Sequence, residues 1–209
     1  METEVYLIRH GETRWNRERR VQGHWDEPLS PQGKEQARRL GEFLRDIPFD
    51  AIYSSDLARA AQTAACVAAD RGLDVHQLPS LRERNLGEWE GLLIDEVIQR
   101  HPEHWRTIWH QGGQYGVEKV EETTRRMTDI LGELVRHHPD QRIAVVSHGG
   151  SINAFLAVAS DGQYGPGRSR IGNTGICRLR YSDTEGWQVE AINQVDHLLS
   201  PKPQADGTR

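Results

Sequence analysis

The chain has 209 residues, 36% hydrophobic and 27% charged, with a net charge of −5 and a pI near 6.1. That length and balance suit one folded domain with a full core and exclude a disordered segment, while the acidic surplus argues against a general nucleic-acid binder. No apolar run reaches the length that spans a bilayer, and the start Met1-Glu2-Thr3-Glu4 is unlike a secretory leader, so the expectation is a cytoplasmic protein with no membrane partner.

Residues 5–8 form a short apolar run, expected as a buried strand ending at Arg9-His10-Gly11. Ser30-Pro31 pairs an N-cap residue with proline at the first helical position. Ala37, Leu40, Leu44 and Ile47 follow at helical spacing until Pro48 stops the helix. Residues 49–53 read as a second strand. Ser54-Ser55-Asp56 is expected to cap a second helix that runs through alanines to about Arg71, and residues 75–78 read as a weaker strand. Cys66 falls in that helix and Cys177 in a later strand; both read as small buried hydrophobes, which fits a reducing compartment.

Residues 81–91 are irregular and charged. Residues 96–100 and 103–110 read as short helices broken by Pro102, and Gly112, Gly113 and Gly116 as a loop. A long helix is expected over about 118–138, ended by Pro139, then a strand over 142–147. Ser147-His148-Gly149-Gly150 turns the chain into a helix over about 151–159. Residues 176–181 and 187–192 alternate as a β-hairpin with Glu185-Gly186 at the turn. This hairpin could form the edge of a homodimer, although nothing in the sequence requires one. Residues 200–209 read as a loose polar tail, which leaves 1–199 as a single domain.

Strands alternate with helices through most of the chain, which predicts a three-layer α/β/α sandwich with a largely parallel central sheet. Sites in such sheets gather at the C-terminal ends of strands. His10 and His148 both occupy such ends. A lone histidine after a strand is usually a hydrogen-bonded structural residue, so the company of His10 decides its reading. Arg9 is adjacent, Gly11 lets the backbone approach a ligand, Arg59 sits near one helix start and His148-Gly149-Gly150 precedes another, where free N–H groups favour anions. Such a pocket suits a phosphoryl group. A neutral imidazole can attack phosphorus, while arginines and a second histidine stabilise the equatorial oxygens and disfavour the charged form of His10. Glu83 is a candidate general acid for the leaving alkoxide, although on its residue type alone it reads equally as a solvated loop carboxylate.

Four segments, in order, resemble the histidine phosphatase superfamily in its phosphoglycerate-mutase-like branch. They are Arg9-His10-Gly11-Glu12-Thr13-Arg14-Trp15-Asn16 with Gln22-Gly23 and Leu29-Ser30-Pro31-Gln32-Gly33, Ser54-Ser55-Asp56-Leu57-Ala58-Arg59-Ala60-Ala61-Gln62-Thr63-Ala64, Leu81-Arg82-Glu83-Arg84-Asn85-Leu86-Gly87-Glu88-Trp89-Glu90-Gly91, and Ser147-His148-Gly149-Gly150. The resemblance implies a phosphorylated nucleophile at His10, a phosphate pocket of Arg9, Arg59 and His148, and a proton donor at Glu83. It also implies substrate contacts from Asn16, Gln22, Gly23 and the Gly149 N–H. It implies neither a metal nor another cofactor. The other histidines, such as His101 and His138, then revert to surface positions. One departure stands at the start of the long helix, where members often carry Gly-Glu-Ser and this chain has Val117-Glu118-Lys119. Lys119 could meet a second anionic group of the substrate, or be an ordinary exposed lysine.

The branch contains mutases and phosphatases. Its mutases resemble longer chains with a sizeable basic segment after the third motif. Here residues 92–116 are few, with Arg100 and Arg106 as their only arginines and no lysine. The expected function is therefore a phosphomonoesterase acting on a small-molecule phosphate ester. A phosphoglycerate mutase and a non-catalytic phospholigand-binding module are the alternatives. Trp15, Trp25, Trp105, Trp109 and Tyr115 read as packing residues before they read as a substrate platform.

Overall fold

The computed structural model describes residues 2–199; the expected tail over 200–209 lies outside the described residues. Strand β1 (Glu2–Arg9) runs through the middle of a six-stranded sheet. In chain order it is followed by α1 (Arg14–Glu18), α2 (Pro31–Leu44), β2 (Ala51–Ser54), α3 (Ala58–Ala68) and β3 (Val75–Gln77). Then come α4 (Ile94–Arg100), α5 (Trp105–Gln111), α6 (Val120–His137), β4 (Arg142–Ser147), α7 (Gly149–Ala159), β5 (Ile176–Ser182) and β6 (Gly186–Gln194). The sheet order is β3-β2-β4-β1-β5-β6. The first four of these strands are parallel, and the β5–β6 hairpin extends the sheet antiparallel to β1.

The apolar run of β1 is continuous because both faces of the sheet are covered. Side chains alternate along a strand. Val5 and Leu7 point into a core with Met127, Leu131 and Leu134 of α6 and Ile152 and Phe155 of α7. Tyr6 and Ile8 point to the other side, against Leu40 and Leu44 of α2 and Ala60, Ala64 and Val67 of α3. Three layers result, as the alternation of elements predicts. A third, smaller cluster of Val21, Trp89, Val97, Ile108 and Val117 holds α4 and α5 together beside the C-terminal strand ends. Among the described residues no helix is long and apolar enough to cross a membrane.

Several local expectations change. Ser54-Ser55-Asp56 does not cap α3, which starts at Ala58 behind an uncapped Leu57. The Ser54 hydroxyl donates to the Ser55 carbonyl, the Ser55 hydroxyl accepts from the Leu57 N–H just ahead of the helix, and Asp56 takes two bonds from Arg82. The helix ends at Ala68 because Arg71 turns back to the carbonyls of Leu44, Ile47 and Val67. Helix α1, too short to leave a periodic pattern, is held by a capping box between Thr13 and Asn16. His101 packs on Tyr115, and His138 bonds Tyr53, so neither is a plain surface histidine.

Ser30 caps α2 as expected, its hydroxyl accepting from the Gly33 N–H at 3.0 Å. The first turn of α2 presses against the loop that follows β1. A Cβ on Gly33 would lie 1.9 Å from the Glu12 carbonyl oxygen, and one on Gly11 would lie 2.6 Å from the Gly33 oxygen. An alanine in a helix usually gains up to about 1 kcal/mol over glycine, but overpacking against backbone costs about 1–3 kcal/mol. Gly33→Ala should therefore lower the urea unfolding midpoint and, by pushing the loop, displace His10. An unchanged or raised midpoint would show that the contact is not a constraint.

Candidate active site

Sheet register builds the site. Arg9, the last residue of β1, pairs with Ser147, the last of β4, and the His10 N–H donates to the Ser147 carbonyl at 3.0 Å. The next residue of each strand is a histidine. His10 and His148 therefore stand side by side with ring centroids 5.1 Å apart, both buried.

Their tautomers are opposite. His10 Nδ1 lies 2.6 Å from the Gly11 carbonyl. A carbonyl only accepts, so Nδ1 carries the proton and Nε2 keeps its lone pair. In His148, Nδ1 accepts from Arg59 Nε at 3.2 Å, so the proton sits on Nε2, which is buried without a partner. One ring presents a nucleophilic lone pair and the other an N–H. Both stay neutral: burial pushes His10 well below the ordinary imidazole range, and the charges of Arg59 and Arg9 push it further. For His148 burial again dominates, followed by Arg59 and His10.

The two arginines are anchored by carbonyls. Arg59 is 1% exposed and donates through Nη1 and Nη2 to Trp25 and Gly23. Burial lowers it to about 10, with Glu83 opposing the shift, so it stays charged at neutral pH. Arg9 donates to the Ile171 carbonyl at 2.7 Å, and its Nε is buried without a partner. Gly23 holds φ at +52° in the turn that supplies the Arg59 anchor, and a Cβ there would lie 2.1 Å from Glu90 Oε1.

Asn16 and Gln22 add donors. Asn16 Oδ1 accepts from the Thr13 N–H at 3.1 Å, and Gln22 Oε1 accepts from the Thr13 hydroxyl at 2.7 Å. With their oxygens turned to the protein, their NH2 groups are left as donors. Both side chains line one cleft of about 280 Å³ with Arg9, His10, Arg59 and Glu83. Glu83 is oriented from α7: Oε1 accepts from the N–H groups of Arg84 and Ser151, and Oε2 from that of Gly150 at 3.0 Å. The cleft is rich in unpaired donors and poor in acceptors, which suits an oxyanion.

The structure thus gathers Arg9, His10, Asn16, Gln22, Gly23, Arg59 and Glu83 around one cleft, with His148 against His10. Gly149 packs over Arg9, where a Cβ would lie 3.3 Å from Nε, and lines an adjoining cleft. Lys119 is not brought in: it is exposed at the start of α6, with its N–H on Glu122 and its stem beside Gly113. Of the five aromatic residues singled out in the sequence, only Trp109 lines the cleft. Trp15 stacks on Trp25, and Trp105 and Tyr115 pack in the small cluster beside it.

Most supporting residues escape the sequence pattern. Thr63 accepts from the Gly11 N–H, fixing the carbonyl that sets the His10 tautomer. Asn173 and Thr174 both donate to the His10 carbonyl. Thr174, buried and β-branched with φ +55°, is held in that strained conformation by His197. Only the Thr in Arg59-Ala60-Ala61-Gln62-Thr63, one helical turn past Arg59, gave any signal. Among the described residues, no three His, Cys, Asp or Glu side chains converge as metal ligands.

A family model described as histidine phosphatase superfamily (branch 1) matches residues 5–195. A probable phosphoglycerate mutase GpmB of Enterobacter sp. (strain 638) is 34% identical over 207 residues, 95% of this chain and 96% of the relative. The uncharacterized phosphatase PhoE of Bacillus subtilis (strain 168) is 32% identical over 196 residues, covering 94% and 97%. The solved structure of Bacillus stearothermophilus YhfR superposes with a TM-score of 0.87 at 31% identity, covering 94% and 100%. A mycobacterial glucosyl-3-phosphoglycerate phosphatase, solved with VO3, does so with 0.81 at 30%, covering 91% and 98%.

The neutral histidines carry a pH consequence. In the unfolded chain an imidazole titrates at about 6.5, while His10 and His148 titrate below it when folded. Between those values the unfolded chain binds more protons, so stability is complete above about pH 6.5 and declines as the pH falls through that window. The urea midpoint should drop between about pH 7 and pH 5, less steeply in His148→Gln. A midpoint independent of pH over that range would contradict neutral burial.

Proposed function

Since this chain belongs to the histidine phosphatase superfamily, we propose that it is a phosphomonoesterase that hydrolyses small phosphorylated metabolites through a phosphohistidine at His10. The observation that carries the reading is the pair of neutral, oppositely polarised imidazoles in a donor-rich pocket. His10 Nε2 attacks phosphorus with its lone pair as the P–O ester bond breaks. Glu83, through Oε2, gives the leaving oxygen its proton. The equatorial oxygens lie among Arg9 Nε, Arg59, His148 Nε2 and the amides of Asn16 and Gln22. A water oxygen then attacks phosphorus, the N–P bond breaks with its electron pair returning to Nε2, and Glu83 takes back a proton. Phosphate leaves, and no metal or cofactor enters the cycle.

Hydrolysis is favoured over mutase chemistry because residues 92–116 carry few cations with which to retain a dephosphorylated acidic intermediate. The name of PhoE points the same way and that of GpmB does not. Residues 1–199 are read as one domain, and the free thiols of Cys66 and Cys177 support a reducing, cytoplasmic setting.

With p-nitrophenyl phosphate, the wild-type chain should release phosphate, resist EDTA and be inhibited by vanadate. His10→Ala should lose turnover by at least about a thousandfold without loss of fold, since removing a covalent nucleophile leaves only binding and electrostatic effects. Loss of activity with EDTA, or an active His10→Ala, would refute the phosphohistidine route. Turnover of 3-phosphoglycerate decides between the two group transfers. Isomerisation that depends on a bisphosphoglycerate primer and outpaces phosphate release would make the chain a mutase.

A further inference from the structure

Beside the cleft that holds His10 lies a second one of about 200 Å³. Arg84, Trp109 and Gly150 line both, so the two adjoin. Glu83 stands where they meet, because its Oε2 accepts from the Gly150 N–H. In an in-line displacement the leaving oxygen lies opposite the nucleophile. An ester whose phosphorus faces His10 and whose bridging oxygen faces Glu83 therefore directs its alcohol past Gly150 into this second space.

The chemistry of that space is one-sided. Trp109, Val120, Ala154 and Pro166 give it an apolar wall. Three polar side chains in the wall, Arg84, Asn153 and Thr123, are already engaged within the protein. All three nitrogens of the Arg84 guanidinium donate to carbonyls, those of Glu118, Trp109 and Ile108. Asn153 donates to the Gly149 carbonyl and accepts from the Ser169 hydroxyl. The Thr123 hydroxyl donates to the Lys119 carbonyl. His110 is exposed, and Lys119 is not part of the wall. An ionised carboxylate entering here would lose water and meet a single cation, Arg84, whose three nitrogens are already held by carbonyls, a costly exchange. A cavity of about 150 Å³ admits benzene, so this one has room for a phenyl-sized group.

Resting on the phosphatase reading, we infer that the second cleft receives the alcohol of the ester, and that this alcohol is uncharged with a compact apolar or aromatic body. Phosphate esters of hydroxy acids are correspondingly poor ligands.

Binding to His10→Ala tests this without turnover. Benzyl phosphate, O-phospho-L-serine and 3-phosphoglycerate are all alkyl esters, and their dissociation constants can be compared by calorimetry. Benzyl phosphate should bind tighter than either carboxylated ester by about tenfold or more, a difference of about 1.4 kcal/mol. A cation placed in the wall, in Val120→Arg or at the exposed position in Pro166→Arg, should compress that ratio. Equal or tighter binding of the carboxylated esters would overturn the inference, and loss of their binding in Lys119→Ala would name the counter-ion that replaces it. Should the wild-type chain hydrolyse none of the three, the phosphatase reading falls while the order of binding still decides what the cleft accepts.

Discussion

The pairing of Arg9 with Ser147 at the ends of β1 and β4 is the constraint on which the rest depends. Parallel neighbours in register deliver their next residues to the same height, and here both next residues are histidines. Shifting the pairing by one residue would separate the rings and turn one of them to the opposite face. Everything that makes the strands central also serves the site. Their two-sided burial, under α6 and α7 on one face and α2 and α3 on the other, withdraws water from His10 and His148 and keeps both neutral.

Charge in the pocket is arranged by carbonyls as much as by side chains. Arg59 is buried there and Arg9 half-buried, a costly placement unless their donors are satisfied. The carbonyls of Ile171, Trp25 and Gly23 supply acceptors without neutralising the positive field. What is left over is a set of donors without acceptors: Arg9 Nε, His148 Nε2 and the amides of Asn16 and Gln22. Arg84 shows the opposite economy on the far side of Glu83. Its three nitrogens all donate to carbonyls and so hold α5 and the start of α6 in place, and it is the one arginine in the wall of the second cleft. Two neighbouring clefts that share residues thus differ in the cations that line them: Arg9, Arg20, Arg59 and Arg84 in one, Arg84 in the other.

Much of this was legible in the residues. The apolar run of β1, the Ser30-Pro31 helix start and the long helix before β4 follow from local periodicity and capping, and they appear nearly where expected. Arg9, His10, Arg59 and His148 are legible because each sits at a strand end or helix start, whereas Asn16, Gln22, Gly23 and Glu83 enter through the family resemblance. Less legible were features without a local period. Helix α1 spans five residues and depends on one capping box. The start of α3 lies later than the pattern suggests because Ser54 and Asp56 bond elsewhere, Asp56 to an arginine 26 residues away, and Ser55 reaches only the Leu57 N–H. Lys119 invited a substrate role by its place in a motif, whereas the turn of the chain at α6 leaves it exposed.

By itself the sequence determined the layer architecture and the residue types of the site, since burial on two faces and the punctuation of helices are written in neighbours a few positions apart. Only the tertiary structure decided the protonation pattern of the two histidines. It did so by bringing the Gly11 carbonyl to one ring and Arg59, 89 residues away, to the other. The same holds for Thr63, Asn173, Thr174 and His197 around the His10 loop. Their bonds join segments distant along the chain, and no local pattern records which of many possible partners the folded register will select.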